Sequence, residues 1–487
     1  MEERLPRRLI HIPDDNENVC LCLTENIDVS GARLQYAALT HCWGTKPMPI
    51  LTTRENLDEM LRRIPFESLT KTFQDAIKIT RQLGFQYLWI DTLCILQGDV
   101  DDWMSEAAAM GSIYASCSLN IVASASPEGI DPELHRGFKV LAFTEEESNQ
   151  RTILNCMPNN LPLYGSFTAA RAWCFQETFL APRSLFFHRD QLYWQCRIFA
   201  ANETFPQGLV HEDPPLRSKT YRLRSREEFP STHEWFKLVN MYSSGKLTQW
   251  KDKLIAMSGV ARLLSKEYSL GAMDDGGSSG QSYLAGLWKS DLTSQLLWCV
   301  ASPCPRQYPQ STPSWSWACV DGPIMYPKHM GPWRPCFRIL DACTALATDD
   351  DFGAVNGGTL RLQCNPLVPV ALIAHEVLYE IIVNGISLQG IVYPDALPLE
   401  STGVLAFQGW EGLTAKPGEY RSNFGLLLKP TGTVDTFRRV ASYFVHSMQD
   451  VTCVFGDQDD LISEGPVKLS SLLPFNQLDE QKVITII

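Results

Sequence analysis

Apolar and polar positions alternate along the first third of the chain in a pattern that predicts strands and helices in turn. Three mostly apolar runs have the length of buried strands: 34–42, 85–90 and 119–125. Between the first two runs, residues 72–83 repeat apolar side chains at helical spacing, with Thr72 as the expected cap and Gly84 as the stop. This order of elements predicts a parallel α/β core.

The next predicted helix carries a carboxylate on its apolar stripe. Glu106 follows Trp103 by three residues and precedes Met110 by four, so all three side chains lie on one face. An inward carboxylate is costly unless it is paired or lines a cavity. Two interpretations stay open: a structural ion pair with Arg171 or Arg183, or a cleft carboxylate that holds a ligand hydroxyl.

Polar side chains also stand where the first two strands end. Asp91 directly follows the 85–90 run, and His41, Cys42 and Trp43 end the 34–42 run. Ligands of parallel sheets bind at the carboxyl ends of strands, although Asp91 could equally cap a turn. Because neighbours in a strand face opposite sides, His41 is not placed to activate Cys42 as a nucleophile.

A short helix predicted over residues 171–178 brings three further polar groups: Arg171, Gln176 and Glu177. The Arg171 guanidinium could bind a phosphate or carboxylate through two parallel hydrogen bonds. It could as well be the partner of Glu106 or Glu177, and the sequence does not separate these alternatives.

The rest of the pattern predicts a hairpin, two helices and a series of short strands. In chain order these are 184–188 with 191–196, helices 248–264 and 283–301, and strands 315–320, 359–364, 380–392, 425–429 and 437–445. The last third is therefore expected to form a β-rich subdomain.

Composition narrows the function classes. With 42 Lys and Arg against 55 Asp and Glu, the net charge of −13 argues against a nucleic-acid-binding protein. The 15 cysteines are an odd number without a Cys-x-x-Cys pair, which favours reduced thiols and a cytoplasmic location. We expect no signal peptide and no membrane span. The phosphate-binding, dinucleotide-binding, serine-hydrolase and metal-ligand motifs are missing from the sequence.

Four segments together resemble one family, the fungal heterokaryon incompatibility (HET) domains. They are Tyr-Ala-Ala-Leu-Thr-His-Cys-Trp-Gly at 36–44, Tyr-Leu-Trp-Ile-Asp-Thr-Leu-Cys-Ile-Leu-Gln at 87–97, Asp-Trp-Met-Ser-Glu at 102–106 and Arg-Ala-Trp-Cys-Phe-Gln-Glu at 171–177. The family commonly has Ser-Tyr where this chain has Thr40 and His41.

The resemblance implies a flavodoxin-like α/β fold distantly similar to TIR domains, some of which cleave NAD. The Trp103-x-x-Glu106 spacing is that of the TIR catalytic glutamate, which supports Glu106 as a catalytic candidate. Asp91, at the carboxyl end of its strand, is the second catalytic candidate. The expected ligand-binding residues are His41, Trp43, Gln97, Trp103, Arg171, Gln176 and Glu177. No metal and no firm cofactor is expected, and NAD would be a substrate.

The expected organisation is a lead-in, a HET domain, a helical connecting region and a β-rich C-terminal subdomain, over residues 1–30, 31–200, 201–310 and 311–487. HET proteins act in non-self recognition and programmed cell death, with a second copy or an allelic protein as partner. Two alternatives stay open: an enzyme of secondary metabolism that cyclises, hydrolyses or dehydrates a small molecule in the α/β cleft, and a non-catalytic scaffold. A wet cleft holding both Asp91 and Glu106 favours an enzyme, and a sealed Glu106–arginine pair favours the scaffold.

Overall fold

The computed structural model divides the chain into two compact units. The described residues are 4–14, 18–28, 33–44, 47–124, 140–144, 151–155, 166, 168–188, 191–208, 232–268, 282–302, 304–305, 311–326, 333–375, 378–388, 390–397, 399, 402–412, 421–447 and 481–487. The first unit comprises Met1–Phe229, Gly245–Leu247 and Ala256–Leu263, and the second comprises Pro230–Ser244, Thr248–Ile255 and Leu264–Ile487.

The first unit is an α/β structure around an eight-stranded mixed sheet. Its strands are β1 Arg8–His11, β2 Cys20–Leu23, β3 Ala37–Thr40, β4 Tyr87–Trp89, β5 Leu119–Ala123, β6 Val140–Thr144, β7 Arg151–Asn155, β8 Arg183–Phe187, β9 Leu192–Cys196 and β10 Ala200–Asn202. Its helices are α1 Leu57–Arg62, α2 Lys71–Gln82, α3 Asp91–Cys94, α4 Val100–Ser116 and α5 Ala172–Leu180. Strands β6 and β7 pair separately from the main sheet, and β8 with β9 form the predicted hairpin.

Four neighbouring strands at the centre of this sheet are parallel. They lie in the order β4-β3-β5-β8, and antiparallel pairs flank them, β1-β2 on one side and β9-β10 on the other. The chain steps one way from β3 to β4 and the other way from β4 to β5 and β8. Right-handed crossovers therefore place α2 on one face and both α4 and α5 on the opposite face. Helices α4 and α5 are indeed in contact.

The two long helices of this core begin at side-chain caps. The cap of α2 is Thr70, whose hydroxyl accepts a hydrogen bond from the Phe73 amide at 3.3 Å, and the prediction of Thr72 as cap is wrong. Thr72 lies inside the first turn and is buried, because the helix begins one residue before it. Asp99 caps α4 through bonds from two backbone amides, each 3.1 Å long. Gly84 adopts φ +79° after α2, as a helix stop requires.

The second unit is dominated by an eleven-stranded sheet. Its helices are α6 Thr232–Ser243, α7 Ile255–Tyr268, whose residues 256–263 belong to the first unit, and α8 Leu292–Gln295. Its strands are β11 Tyr283–Leu284, β12 Leu287–Trp288, β13 Cys299–Val300, β14 Cys304–Pro305, β15 Ile324–Met325, β16 Trp333–Pro335, β17 Phe337–Leu346, β18 Val355–Cys364, β19 Val368–His375, β20 Leu378–Val383, β21 Ile386–Leu388, β22 Gly390–Pro394, β23 Ala396–Leu397, β24 Val404–Gly412, β25 Arg421–Pro430, β26 Thr436–Ser447 and β27 Lys482–Ile486.

The β-rich last third agrees with the sequence pattern, but two predicted elements are wrong. The helix expected over 283–301 is replaced by short strand pairs and the four-residue α8. The strand expected over 315–320 is a 3₁₀ turn at Trp317–Cys319, which Ser316 caps by accepting from the Ala318 amide at 3.0 Å. Both segments are rich in apolar residues and contain buried tryptophans. Periodicity alone therefore does not distinguish helix, strand and turn in them.

One buried cation organises the core of the second unit. Arg439 on β26 is completely buried and binds both carboxylate oxygens of Asp395, at 3.1 and 3.2 Å. Its guanidinium also donates to the Trp298 carbonyl at 2.7 Å and lies 3.2 Å from the centre of the Trp298 indole. A buried charge is tolerated when it is paired and its donors are used, and Arg439 meets both conditions.

Three properties concern the described residues as a whole. None of the helices among them is long and apolar enough to cross a membrane. Twelve of the cysteines within these residues carry free thiols. No group of three or more His, Cys, Asp or Glu in the same residues is arranged to hold a metal ion.

Substituting Gly259 by alanine tests the close packing of α7 against α4 and α5. A Cβ at Gly259 would lie 2.8 Å from the Gly111 Cα and 2.5 Å from Gln176 Oε1. We expect Gly259→Ala to lower the free energy of unfolding by about 1–3 kcal/mol, although Gly→Ala in an open helix normally stabilises. Thermal and urea unfolding measure it, with Ser265→Ala on the same helix as control. A stability equal to or above wild type contradicts this packing.

Candidate functional site

The carboxyl ends of β3 and β4 meet at Asp91. Asp91 opens α3 immediately after β4, and its Oδ1 lies 2.9 Å from Nε2 of His41, which follows β3. The Trp43 indole N–H donates to Oδ2 at 2.9 Å, and the Thr92 amide donates to Oδ1 at 2.6 Å. One carboxylate therefore joins the ends of two adjacent parallel strands. His41 lies beside the place where the strand order reverses, which is where ligands of such sheets bind.

Asp91 is held as a carboxylate. Burial opposes its ionisation, but the charge and hydrogen bond of His41, the bond from Trp43 and the charge of Arg171 outweigh burial and lower its pKa well below the usual range. Its side chain is 24% exposed. Within the described residues Oδ2 accepts one bond, from Trp43, so it can accept another from a ligand hydroxyl.

A second carboxylate, Glu177, lies deeper in the same cluster. It sits on α5, whose preceding residue Arg171 donates to the His41 carbonyl at 2.8 Å. The Tyr114 hydroxyl is 3.0 Å from Glu177 Oε2. Burial first, and then repulsion from Asp91, raise the pKa of Glu177 to about 7.

The two carboxylates therefore differ in charge near neutral pH. Asp91 is an anion with several donors around it, whereas Glu177 holds its proton up to a pH of about 7. Two acidic groups whose pKa values are pushed apart are the arrangement used for acid–base work in enzyme sites. We call His41, Trp43, Asp91, Arg171 and Glu177 the Asp91 cluster.

Glu106 belongs to a different group of charges. It is fully buried, and among the described residues neither of its oxygens has a hydrogen-bond partner. It forms an ion pair with Arg7, whose Nε lies 3.7 Å from Oε1, rather than with the expected Arg171 or Arg183. Arg171 binds the His41 carbonyl, and Arg183 donates to the Ser118 carbonyl at 3.3 Å. The pKa of Glu106 is raised by burial.

Asp102 connects this second group to the loop after α3. Its Oδ2 binds Arg8 and accepts from the Leu96 amide at 2.8 Å, and its Oδ1 accepts from Arg7 at 3.2 Å. Trp103 precedes Glu106 by one helical turn and is half-buried. The ion pairs of Glu106 and Asp102 are thus with Arg7 and Arg8, and the arrangement is the arginine-paired one.

The two predicted glutamines have backbone partners. The Gln97 amide donates to the carbonyls of Asp91 and Ile95, at 3.2 Å each, and so shapes the turn after α3. Gln176 is fully buried, and its Oε1 accepts from the Gly259 amide at 2.7 Å. The structure thus brings five of the nine predicted residues into the Asp91 cluster, and their roles stay predictions.

The sequence did not single out Tyr114 or Thr92. Tyr114 is buried on α4, and its hydroxyl also lies 2.9 Å from the Leu39 carbonyl. Tyr114 could have been found from the sequence because it lies on the apolar face of a predicted helix. A buried phenol needs a polar partner, so such a tyrosine indicates a polar group nearby. Thr92 adjoins Asp91 and contributes its amide and hydroxyl, and no pattern in the sequence indicates this role.

Comparison with known families places this cluster within a single domain. Residues 36–177 match the family model described as Heterokaryon incompatibility protein (HET). This part of the chain is therefore identified as a HET domain. Every residue of the Asp91 cluster lies inside the matched range of the HET domain, whereas Arg7 and Arg8 lie outside it. No curated protein and no solved structure matches the chain. The HET match indicates a function of the heterokaryon incompatibility type.

The raised pKa of Glu177 predicts a pH-dependent stability that Glu177→Gln removes. The pKa of Glu177 rises from 4.5 to about 7 on folding. Its bound proton therefore makes its full contribution to the free energy of unfolding below pH 4.5. That contribution is lost as the pH rises through about 7, which lowers the free energy of unfolding by about 3 kcal/mol. Urea unfolding from pH 4 to 8 measures the difference between wild type and Glu177→Gln.

The matched control for this measurement is the exposed Glu67→Gln, whose pH dependence should follow wild type. If wild type and Glu177→Gln keep a constant difference in stability across this range, Glu177 does not change its proton affinity on folding.

Proposed function

We propose that this HET domain protein is an incompatibility effector that binds a nucleotide at the Asp91 cluster and cleaves its N-glycosidic bond, with NAD as the candidate substrate. The observation that carries the proposal is the carboxylate of Asp91 at the carboxyl ends of two parallel strands, with the buried Glu177 behind it on α5. We also propose a flavodoxin-like, TIR-like core, which the order β4-β3-β5-β8 supports because the second strand precedes the first in that fold.

The groups of the cluster suit the parts of a dinucleotide. The free lone pair of Asp91 Oδ2 can accept a ribose hydroxyl. Arg171 keeps further N–H donors beyond the one bound to the His41 carbonyl, and these can bind a phosphate. Trp43 is half-buried beside them and offers an aromatic face to a base.

The cleavage needs little more than charge stabilisation. The bond between ribose C1′ and the nicotinamide nitrogen breaks, and its electron pair leaves with the ring, which becomes neutral. Water adds to C1′ and releases a proton, so NAD and water give ADP-ribose, nicotinamide and one proton. An ionised Asp91 beside C1′ would stabilise the positive charge that develops on the ribose. This assigns to Asp91 the role that the Trp-x-x-Glu spacing suggests for Glu106.

Nicotinamide release from NAD by the purified full chain tests this proposal. We expect Asp91→Asn to lower the rate by about 10²-fold, because the amide keeps the shape of the carboxylate but loses its charge. Glu106→Gln distinguishes the two carboxylates, and the exposed Asp101→Asn is the matched control that should keep the wild-type rate. Thermal melts of every variant show whether it is folded.

The outcomes separate the alternatives. Loss of release in a folded Glu106→Gln with retention in Asp91→Asn would transfer the catalytic role to Glu106 and contradict our assignment. No release by folded wild-type protein would contradict NAD cleavage and favour the biosynthetic-enzyme or scaffold alternatives. Two observations favour the scaffold: Asp91 already accepts bonds from His41, Trp43 and Thr92, and the buried Glu106 lies beside Arg7.

A further inference from the structure

Glu177 of the Asp91 cluster continues into a buried row of polar groups. The position of each hydroxyl proton in this row follows from which neighbours can donate and which can only accept. The Tyr114 hydroxyl is 3.0 Å from Glu177 Oε2 and 2.9 Å from the Leu39 carbonyl oxygen. A phenol has one proton, and a carbonyl can only accept. If Glu177 were ionised, both neighbours of this hydroxyl would be acceptors, and one of the two contacts would have no proton.

Thr40 presents the same restriction on a second side of Glu177. Its hydroxyl donates to Asn120 Oδ1 at 3.1 Å. The Asn120 Nδ2 donates to the backbone carbonyl oxygen of Glu177 at 3.5 Å. Because a carbonyl oxygen can only accept, this contact fixes which end of the amide faces Thr40, namely Oδ1. The Thr40 proton is therefore used by Asn120 and is not available to an ionised Glu177.

The charges around Glu177 point the same way. Asp91 repels a second carboxylate, and Arg171 is the cation that opposes this repulsion. Arg171 already donates to the His41 carbonyl. A proton on Glu177 gives both contacts of the Tyr114 hydroxyl a donor and an acceptor, and it leaves a single anion, Asp91, in the cluster.

We propose that Glu177 rests as a neutral carboxylic acid whose proton is directed to the Tyr114 oxygen, and that Tyr114 is the positioning residue of this acid. The row then runs from Glu177 O–H to Tyr114 Oη, and from Tyr114 O–H to the Leu39 carbonyl.

This inference rests on the proposed function only for the use of the proton. A neutral Glu177 adds a hydrogen-bond donor to the cluster instead of a second negative charge. The cluster then favours an electron-rich ligand with hydroxyl groups, such as a nucleotide ribose, over a divalent cation, which would bind two ionised carboxylates.

Infrared difference spectra of the purified full chain between pH 6 and pH 8 test the proposal without any substrate. Wild type should lose the carbonyl stretch of a protonated carboxyl group as the pH rises, and Glu177→Gln should lack that band. In Tyr114→Phe the band should move to higher frequency, because the acid loses its acceptor. Tyr36→Phe is the matched control, since its hydroxyl donates to the Ile113 carbonyl on the same helix at 2.6 Å.

Two results overturn the proposal. A wild-type spectrum at pH 6 that lacks the protonated-carboxyl band, as Glu177→Gln does, shows that Glu177 is ionised. A band at the same frequency in wild type and Tyr114→Phe shows that Tyr114 does not accept the proton. If Tyr114→Phe does not fold, 3-fluorotyrosine incorporated in place of tyrosine weakens the phenol oxygen as an acceptor and must shift the band in the same direction. Neither result depends on whether NAD is cleaved.

Discussion

The first unit depends on how one carboxylate is accommodated where two parallel strands end. Asp91 cannot be left buried and ionised without donors, so His41 and Trp43 after β3 and the amide of Thr92 all converge on it. The same bonds fix the distance between the ends of β3 and β4. The polar surface at these strand ends is thus a consequence of satisfying a single buried charge.

Glu177 lies deeper than Asp91, and its pKa is shifted in the opposite direction. Glu177 has hydroxyl groups around it where Asp91 has N–H donors, so burial raises the pKa of Glu177 while the donors lower that of Asp91. The arginine that could have paired with Glu177 is directed to the backbone of His41. A nearly symmetrical pair of acids becomes one anion and one proton donor because their surroundings differ.

A buried cation of the second unit, Arg439, obeys the same rule of paired donors and acceptors. Arg439 is fully enclosed in the second unit because Asp395, two carbonyl oxygens and Ser442 use its N–H groups. Glu106 is the exception, since no N–H or O–H group among the described residues bonds to its oxygens. Its raised pKa follows from that lack of donors and from burial.

The sequence by itself determined the alternation of elements in the first unit, the β-rich character of the last third, the inward position of Glu106 and the HET motifs. These depend on spacing along the chain, and spacing is local. Only the tertiary structure decided that Arg171 approaches His41, that Arg7 approaches Glu106, and that Tyr114 separates Glu177 from Leu39. Each of these contacts joins residues far apart in the sequence, and the partner of a buried charge is chosen by which strands and helices become neighbours. Periodicity also failed at 283–301 and 315–320, where burial on all sides removes the contrast between faces that distinguishes a helix from a strand.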